Sequence, residues 1–356
     1  MASVHSVSLQ NYRNYEQQTV SFSDGVNLIY GANAQGKTNL LESVFLFSAG
    51  KSHRNVKDAQ LIHTDAEFAC LVLSFCMDQK DKTAEMHLFH DRRKEIKIEG
   101  NKITRLYELM GAFLAVFFCP EDLLLIKGNP SERRRYLDML ISRLRPKYFL
   151  HLQRYNKLLE QRNKLLKESK PDTVMLEVWD EKMAEDAAAI LRFRAEFVEK
   201  LLPLCEELHR EISLGKETLN LRYHTFCESA DKAAVIAALE RAREKDLQYK
   251  MTTVGPHRDD LFVSINNREV KLFASQGQQR TAALSMKLAE AACIEQETGE
   301  RPVLLLDDVL SELDEARQEF VVNKLYRGQV LLACTELPRQ FADNCNLLHI
   351  EQGRMI

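Results

Sequence analysis

No apolar run in these 356 residues approaches the roughly 18 needed to cross a bilayer. The opening stretch Met1-Ala2-Ser3-Val4-His5 lacks the basic and apolar regions of a secretory signal. Both absences lead to the expectation of a soluble, cytoplasmic protein with no membrane partner. The eight cysteines (Cys70, Cys76, Cys119, Cys205, Cys227, Cys293, Cys334, Cys345) are scattered through mostly apolar surroundings, with no C-x-x-C pair and no His-spaced cluster. Neither a zinc site nor a disulfide framework is supported, and the cysteines read as core filler. Net charge is only −3, so the overall balance gives no argument for a polyanionic partner. Glycine is missing altogether from Asn129 to Leu214, and no internal repeat or low-complexity tract occurs.

What is present is unevenly placed. Between Lys127 and Lys170 thirteen Lys/Arg stand against four acids, a segment of +9 that leaves −12 for the rest of the chain. A basic strip on an otherwise acidic protein is the footprint of a surface that holds a polyanion; a solvated helical face has the same composition. Within the strip, Arg133, Arg134 and Arg135 follow Pro130-Ser131 at a predicted helix start, where the macrodipole disfavours cations. They are candidate DNA contacts, and a carboxylate of the chain itself is the equal alternative.

At 45% hydrophobic the chain can bury a substantial core, and its length suits two lobes. Residues 1 to about 105 read as strands at 4–9, 18–22, 68–75, 85–89 and 95–98. Helical spacing then takes over, notably over Tyr148–Ser169 and Met175–Leu202, with Pro130, Pro146, Pro171 and Pro203 marking helix starts or breaks. After about Lys250 the earlier character returns, with strands at 261–265, 303–306 and 330–334. The predicted fold class is α/β with an inserted α-helical lobe.

The octapeptide Gly31-Ala32-Asn33-Ala34-Gln35-Gly36-Lys37-Thr38 fits G-x-x-x-x-G-K-[ST] between a strand-like run, Val26–Tyr30, and a helical one from Thr38 to Phe47. Two glycines let successive amide N–H groups face the phosphates of a nucleotide. Lys37 supplies charge to the β- and γ-phosphates, and the Thr38 hydroxyl is placed to ligate Mg²⁺. The second constellation, Pro302-Val303-Leu304-Leu305-Leu306-Asp307-Asp308, describes a buried parallel strand delivering carboxylates to its C-terminal edge. Asp307 is the expected second Mg²⁺ residue and Asp308 the one that orients or deprotonates an attacking water. Lys37 and Asp307 stand 270 residues apart, consistent with a lobe inserted between the halves of one site.

Ala274-Ser275-Gln276-Gly277-Gln278-Gln279-Arg280 opens a helix predicted from Thr281 to about Gln296. The motif resembles the ABC-ATPase signature, in which a Ser-x-Gly-Gln helix start contacts the γ-phosphate held by a partner subunit. Ser275 can cap the helix and offer a hydroxyl, Gly277 removes a side chain that would block close approach, and free N–H groups face an anion. Facing outward, such a motif makes ATP a glue between two protomers. Ser311-Glu312-Leu313-Asp314 follows as a D-loop look-alike.

Together with Leu9–Tyr15, Leu40-Leu41-Glu42, Lys51–Arg54, Phe118–Leu123, Pro130–Asp138 and Gly255–Asp260, these blocks resemble the RecF family of bacterial recombination-mediator ATPases, related to the heads of structural-maintenance-of-chromosomes proteins. The resemblance covers nearly the whole length. It implies an ABC-type ATPase domain at 1–105 and 250–356 with an inserted helical domain at 106–249. It further implies Ser275, Gly277 and Gln278 as nucleotide contacts, ATP with Mg²⁺ as cofactors, and an ATP-dependent homodimer. Such a dimer grips double-stranded DNA near single-strand gaps and works with RecO and RecR to load recombinase. Asp308 stands where most ABC enzymes carry Glu, which implies slow hydrolysis, and Thr335-Glu336 replaces the usual switch histidine. His257 and Arg258 either approach the nucleotide or pair with Asp259 or Asp260. The competing readings are a P-loop kinase or metabolic NTPase acting on a small molecule, and a scaffold without turnover.

Overall fold

The computed structural model describes residues 1–54, 56–309, 320, 327–336 and 345–356. The chain divides into two compact units, Met1–Asp122 with Ala283–Ile356, and Leu123–Ala282.

In the first unit two sheets share one helix. Strands β1 (Ser3–Tyr12), β2 (Tyr15–Ser21), β4 (Phe68–Met77), β5 (Lys80–Phe89), β6 (Glu95–Ile98) and β7 (Asn101–Ile103) form an antiparallel sheet in the order β2-β1-β4-β5-β6-β7. The strands alternate buried and half-exposed residues, as a sheet with one face in the core requires. The second sheet runs β15-β14-β3-β13-β12-β8, from β3 (Val26–Tyr30), β8 (Ala115–Phe118), β12 (Val303–Asp307), β13 (Val330–Cys334), β14 (Asn346–Glu351) and β15 (Arg354–Met355). Four of its five pairings are parallel and the edge β14–β15 hairpin is antiparallel, so β13 is apolar and buried throughout. Helix α1 (Lys37–Ala49) packs on strands of both sheets, and Leu40, Leu41, Val44, Phe45, Leu46 and Phe47 are all buried. A helix that is apolar nearly all round can only sit inside a core.

The second unit is built on helices: α2 (Leu124–Lys127), α3 (Pro130–Leu144), α4 (Pro146–Leu166), α5 (Thr173–Ile212), α6 (Lys232–Tyr249) and α7 (Val270–Phe273), with a small antiparallel sheet of β9 (Leu219–His224), β10 (Asp260–Ile265) and β11 (Arg268–Glu269). The Asp172 carboxylate caps α5 by accepting from the Val174 and Met175 N–H groups. At 40 residues α5 is about 60 Å long. Pro203 does not break it, against the sequence expectation. Leu201, Cys205, His209 and Ile212 remain buried across the proline, and their packing outweighs a cost of about 3 kcal/mol for an interior proline. Two buried arginines tie the helices together. Arg162 of α4 donates to Asp180 (2.6 Å) on α5 and Asp246 (2.7 Å) on α6, and Arg194 of α5 donates to Asp138 (2.8 Å) and the Pro256 carbonyl (2.7 Å).

Helix α8 (Gln276–Thr298) carries the chain from the second unit back into the first. The first unit extends to Asp122 where pattern reading stopped at 105, because β8 pairs in parallel with β12. It resumes at Ala283 where pattern reading had 250, because β10 pairs with β9 of the helical unit along its whole length. All eight cysteines are free thiols. Among the described residues no helix is long and apolar enough to cross a membrane.

Candidate nucleotide-binding site

The phosphate-loop sequence lies between β3 and α1, and its glycines are required by space. A Cβ on Gly31 would run into the Ile350 carbonyl oxygen. Gly36 has φ 116°, and a Cβ there would lie 2.7 Å from Asn14 Nδ2 and 2.9 Å from the Tyr15 hydroxyl. The loop is clamped from two sides. From the β1–β2 turn, Asn14 Nδ2 donates to the Gln35 carbonyl (3.0 Å), Tyr15 OH donates to the Gly36 carbonyl (2.9 Å), and Asn39 Nδ2 donates to Asn14 Oδ1 (2.8 Å). From the β14–β15 turn, the Gly353 N–H donates to the Gln35 carbonyl (3.0 Å) and the Gln352 N–H to Gln35 Oε1 (2.5 Å). Lys37 folds over the loop, its ammonium donating to the carbonyls of Gly31 (2.7 Å) and Ala32 (2.8 Å), and is only 5% exposed. Asn33, Ala34 and Gln35 complete the turn, with Ala34 at φ 64°.

The second half of the site arrives on β12. Thr38 Oγ1 donates to Asp307 Oδ1 at 2.9 Å, joining residues 269 apart in sequence. Burial pushes the Asp307 carboxyl up to about 6, opposed by the Thr38 hydroxyl and reinforced by the neighbouring Asp308. Asp308 leaves the strand at φ 52°, a left-handed turn that Asp tolerates, with its N–H donating to the Ala333 carbonyl (3.1 Å). Two adjacent oxygen donors beside a glycine cradle fit Mg²⁺, a hard cation that keeps few protein ligands. The D-loop look-alike, Ser311–Asp314, lies outside the described residues.

Glu42, quoted only as part of a sequence block, is the hub that sequence reasoning missed. It is fully buried on α1. It accepts from Tyr12 OH (3.1 Å), Arg13 Nε (3.0 Å) and Ser52 Oγ (2.5 Å), with His53 Nδ1 at 3.7 Å. His53 also stacks on Phe117, ring centroids 4.1 Å apart. Three blocks that looked separate in the sequence, Leu9–Tyr15, Leu40–Glu42 and Lys51–Arg54, are thus one assembly that fixes the turn carrying Asn14 and Tyr15. A charged residue within the apolar stripe of α1 was the available signal, because a buried carboxylate needs partners.

In the second unit Ser275 and Gln278 form a reciprocal capping box at the start of α8. The Gln278 N–H donates to Ser275 Oγ (3.3 Å) and the Ser275 N–H to Gln278 Oε1 (2.8 Å). Gln278 Nε2 also donates to Glu217 Oε1 (2.8 Å). Ser275 is exposed, and a Cβ on Gly277 would meet nothing of this unit nearer than Ser275 Oγ at 4.0 Å. A cleft of about 430 Å³, lined by Ile265, Asn266, Arg268, Phe273, Ala274 and Gln278, opens beside the motif. Leu272 and Phe273, 66% and 67% exposed, precede it.

Of the arginine triplet, Arg133 and Arg134 have internal partners, which opposes their reading as DNA contacts. Arg133 is 7% exposed and grips Asp260 with two bonds of 2.7 and 2.8 Å, while Arg134 donates to the Asp259 carbonyl (2.7 Å). The Asp260 carboxylate is the internal partner that offsets the Arg133 cation near the start of α3. Arg135 is half-buried. Of the basic strip, Arg143 and Arg162 are likewise buried, at 3% and 0% exposure. Lys147, Arg154, Lys157 and Lys164 are exposed along α4, opposite its buried Tyr148, Tyr155, Arg162 and Leu166. His257 is held by residues of its own unit. Its ring bonds to Tyr155 OH (2.6 Å) and the Thr252 carbonyl (3.1 Å), and burial pushes it down to about 4.

Comparison with known proteins identifies the family. Residues 3–345 match the family described as RecF/RecN/SMC N terminal domain. The DNA replication and repair protein RecF of Acetivibrio thermocellus is 41% identical over 365 residues, 99% of either chain. That of Lachnoclostridium phytofermentans is 42% identical over 344 residues, 96% of this chain and 94% of its own. A solved structure of the recombination mediator protein RecF with ATP, of the RecFOR pathway, has a TM-score of 0.92 and 38% identity over 100% of this chain and 97% of that one. An Smc head domain from Pyrococcus furiosus, solved with an extended coiled coil and bound to the C-terminal domain of ScpA, has a TM-score of 0.57 and 17% identity over 100% and 95%, a likeness of fold alone. Matched from end to end by these relatives, the chain belongs to the RecF family of DNA replication and repair proteins and has the mixed α/β fold of ABC-type ATPase heads.

Proposed function

We propose that this chain is an ATP-gated DNA clamp of recombinational repair that works with RecO and RecR. ATP binds in Gly31–Thr38, with Lys37 leaving its two carbonyls to neutralise the β- and γ-phosphates. Thr38 and Asp307 would hold Mg²⁺, which would supply positive charge beside the phosphates. Ser275, Gly277 and Gln278 of one protomer address the γ-phosphate held by the other, so that nucleotide closes a homodimer. Asp308 orients the attacking water; being shorter than the Glu common at this position, it gives slow turnover that times reopening. The observation that carries the ATP site is the Thr38–Asp307 bond beside a loop whose Gly31 and Gly36 leave no room for a Cβ against Ile350, Asn14 and Tyr15. Support for the dimer comes from the exposed, prefolded Ser275 cap and from Gly277, whose missing side chain answers no steric need within its own unit.

For DNA, double-stranded and near single-strand gaps, the exposed row Lys147, Arg154, Lys157 and Lys164 on α4 is the proposed phosphate-binding face. These residues repeat at three and seven positions and so share one side of the helix. Affinity of the Asp308→Asn protein for a short duplex, with and without ATP, tests the whole reading. Binding that needs ATP and weakens steeply with salt is expected. Equal or absent binding in the two conditions would refute the clamp and leave a small-molecule NTPase or a scaffold.

A further inference from the structure

The solvent-facing side of the antiparallel sheet carries a second group of ligand atoms, unrelated in sequence to the phosphate loop. Cys70 of β4 stands directly opposite His87 of β5. Glu85 precedes His87 by two residues, so strand alternation puts all three on one face. One donor atom from each lies within 4.8 Å of the others, the one such three-residue group among the described residues. His87 Nε2 is the pivot, 3.9 Å from Cys70 Sγ and hydrogen-bonded to Glu85 Oε1. The group is half-sheltered. His87 is 24% and Glu85 33% exposed, and the rings of Phe68 and Phe89 lie 6.5 and 6.4 Å from the imidazole. From β6, Lys97 brings its ammonium to 3.3 Å from Glu85 Oε2.

We propose that Cys70, Glu85 and His87 form a zinc site with three protein ligands and a fourth position open to water. A thiolate, an imidazole and a carboxylate suit a borderline-soft ion such as Zn²⁺ and are wrong for Mg²⁺, which prefers oxygen alone. The proton that His87 Nε2 shares with Glu85 leaves through solvent, the neutral ring carries its one proton on Nδ1 and gives the Nε2 lone pair to the ion, and the Cys70 thiol releases its proton to solvent as the S–Zn bond forms. Ladder hydrogen bonds already fix the backbones of β4 and β5 at these positions, so little ordering cost remains to be met on binding. Lys97 competes with the ion for Glu85. The product is a staple between two strands, independent of nucleotide.

Cobalt titrated into the reduced, chelator-stripped, nucleotide-free full chain tests this, because Co²⁺ replaces Zn²⁺ and a thiolate ligand gives a near-ultraviolet charge-transfer band. Saturation at one equivalent is expected, with the band displaced by Zn²⁺. Cys70→Ser should abolish it. Glu85→Gln and His87→Gln should each weaken binding by at least the roughly 10–100-fold that follows loss of even an outer-shell partner. Cys76→Ser, on the same face of β4, should leave the band intact, and Lys97→Met should tighten binding. Circular dichroism of each variant checks that the sheet is retained, and these sites are too exposed for substitution to empty the core. Absence of the band in the parent chain, its survival in Cys70→Ser, or its loss in Cys76→Ser would overturn the assignment.

Discussion

Replacing Gly277 by Ala should make the free chain more stable and the nucleotide-bound dimer weaker, two effects that ordinary packing would not produce together. Gly277 is in the first turn of α8, its φ is not positive, and a methyl group there would meet no atom of its own unit nearer than 4.0 Å. Relieving the backbone entropy of a helical glycine is worth about 0.5–1 kcal/mol. If another chain approaches this backbone closely, the same methyl overpacks the contact at about 1–3 kcal/mol. A two-fold dimer contains the contact twice, so the total is about 2–6 kcal/mol and the dimer dissociation constant rises about 30-fold or more, at 1.4 kcal/mol per decade. Urea unfolding of the nucleotide-free protein measures the first effect. Light scattering across a protein dilution series with ATP, in an Asp308→Asn background for both versions, measures the second. A Gly277→Ala chain that dimerises with ATP as its parent does would refute the assignment of this helix start to a partner's nucleotide. One that is less stable alone would refute the steric reasoning.

Asn14→Ala removes two side-chain bonds that clamp the phosphate loop; at about 1 kcal/mol each, ATP affinity should fall about tenfold or more in a fluorescent-nucleotide titration. Glu42→Gln places an amide among the Tyr12, Arg13 and Ser52 donors and should cost about 3 kcal/mol in urea unfolding, since it breaks a buried ion pair from one side. His257 is held down to about 4 from 6.5 by burial. The unfolded chain therefore binds the extra proton first, and stability that is complete above pH 6.5 should decline by up to about 3 kcal/mol as pH falls toward 4. His257→Gln should flatten that decline. Lys157→Gln with Lys164→Gln should lower the salt slope of DNA binding by about 2. Arg133→Ala should instead unfold more easily while leaving that slope unchanged, because its guanidinium is spent on Asp260.

Much of this protein was legible in the sequence because the relevant signals are local. The phosphate loop needs glycines at fixed spacing between a strand and a helix, β12 needs an apolar run ending in acids, and a capped helix start needs Ser with Gln three residues later. Each is a statement about a few consecutive residues whose backbone geometry follows from their own side chains. The strands of the antiparallel sheet were readable for the same reason, since alternation is a property of the segment.

Pairing was not local, and there the tertiary structure decided. Nothing in residues 115–118 announces that they run beside Val303–Leu306, and Leu261–Ile265 reads the same whether it joins one unit or the other. Pro203 breaks a helix by its own chemistry and was carried through α5 by the core on either side of it. Arg133 had two equal readings until Asp260, 127 residues beyond it, supplied the carboxylate. Cys70, Glu85 and His87 carried no spacing signal because strand register, rather than sequence distance, brings them together. A motif is written by residues that act through their neighbours in the chain. A buried charge or a shared ligand site is completed by whichever residue folding brings opposite, and one sequence read alone does not name that partner.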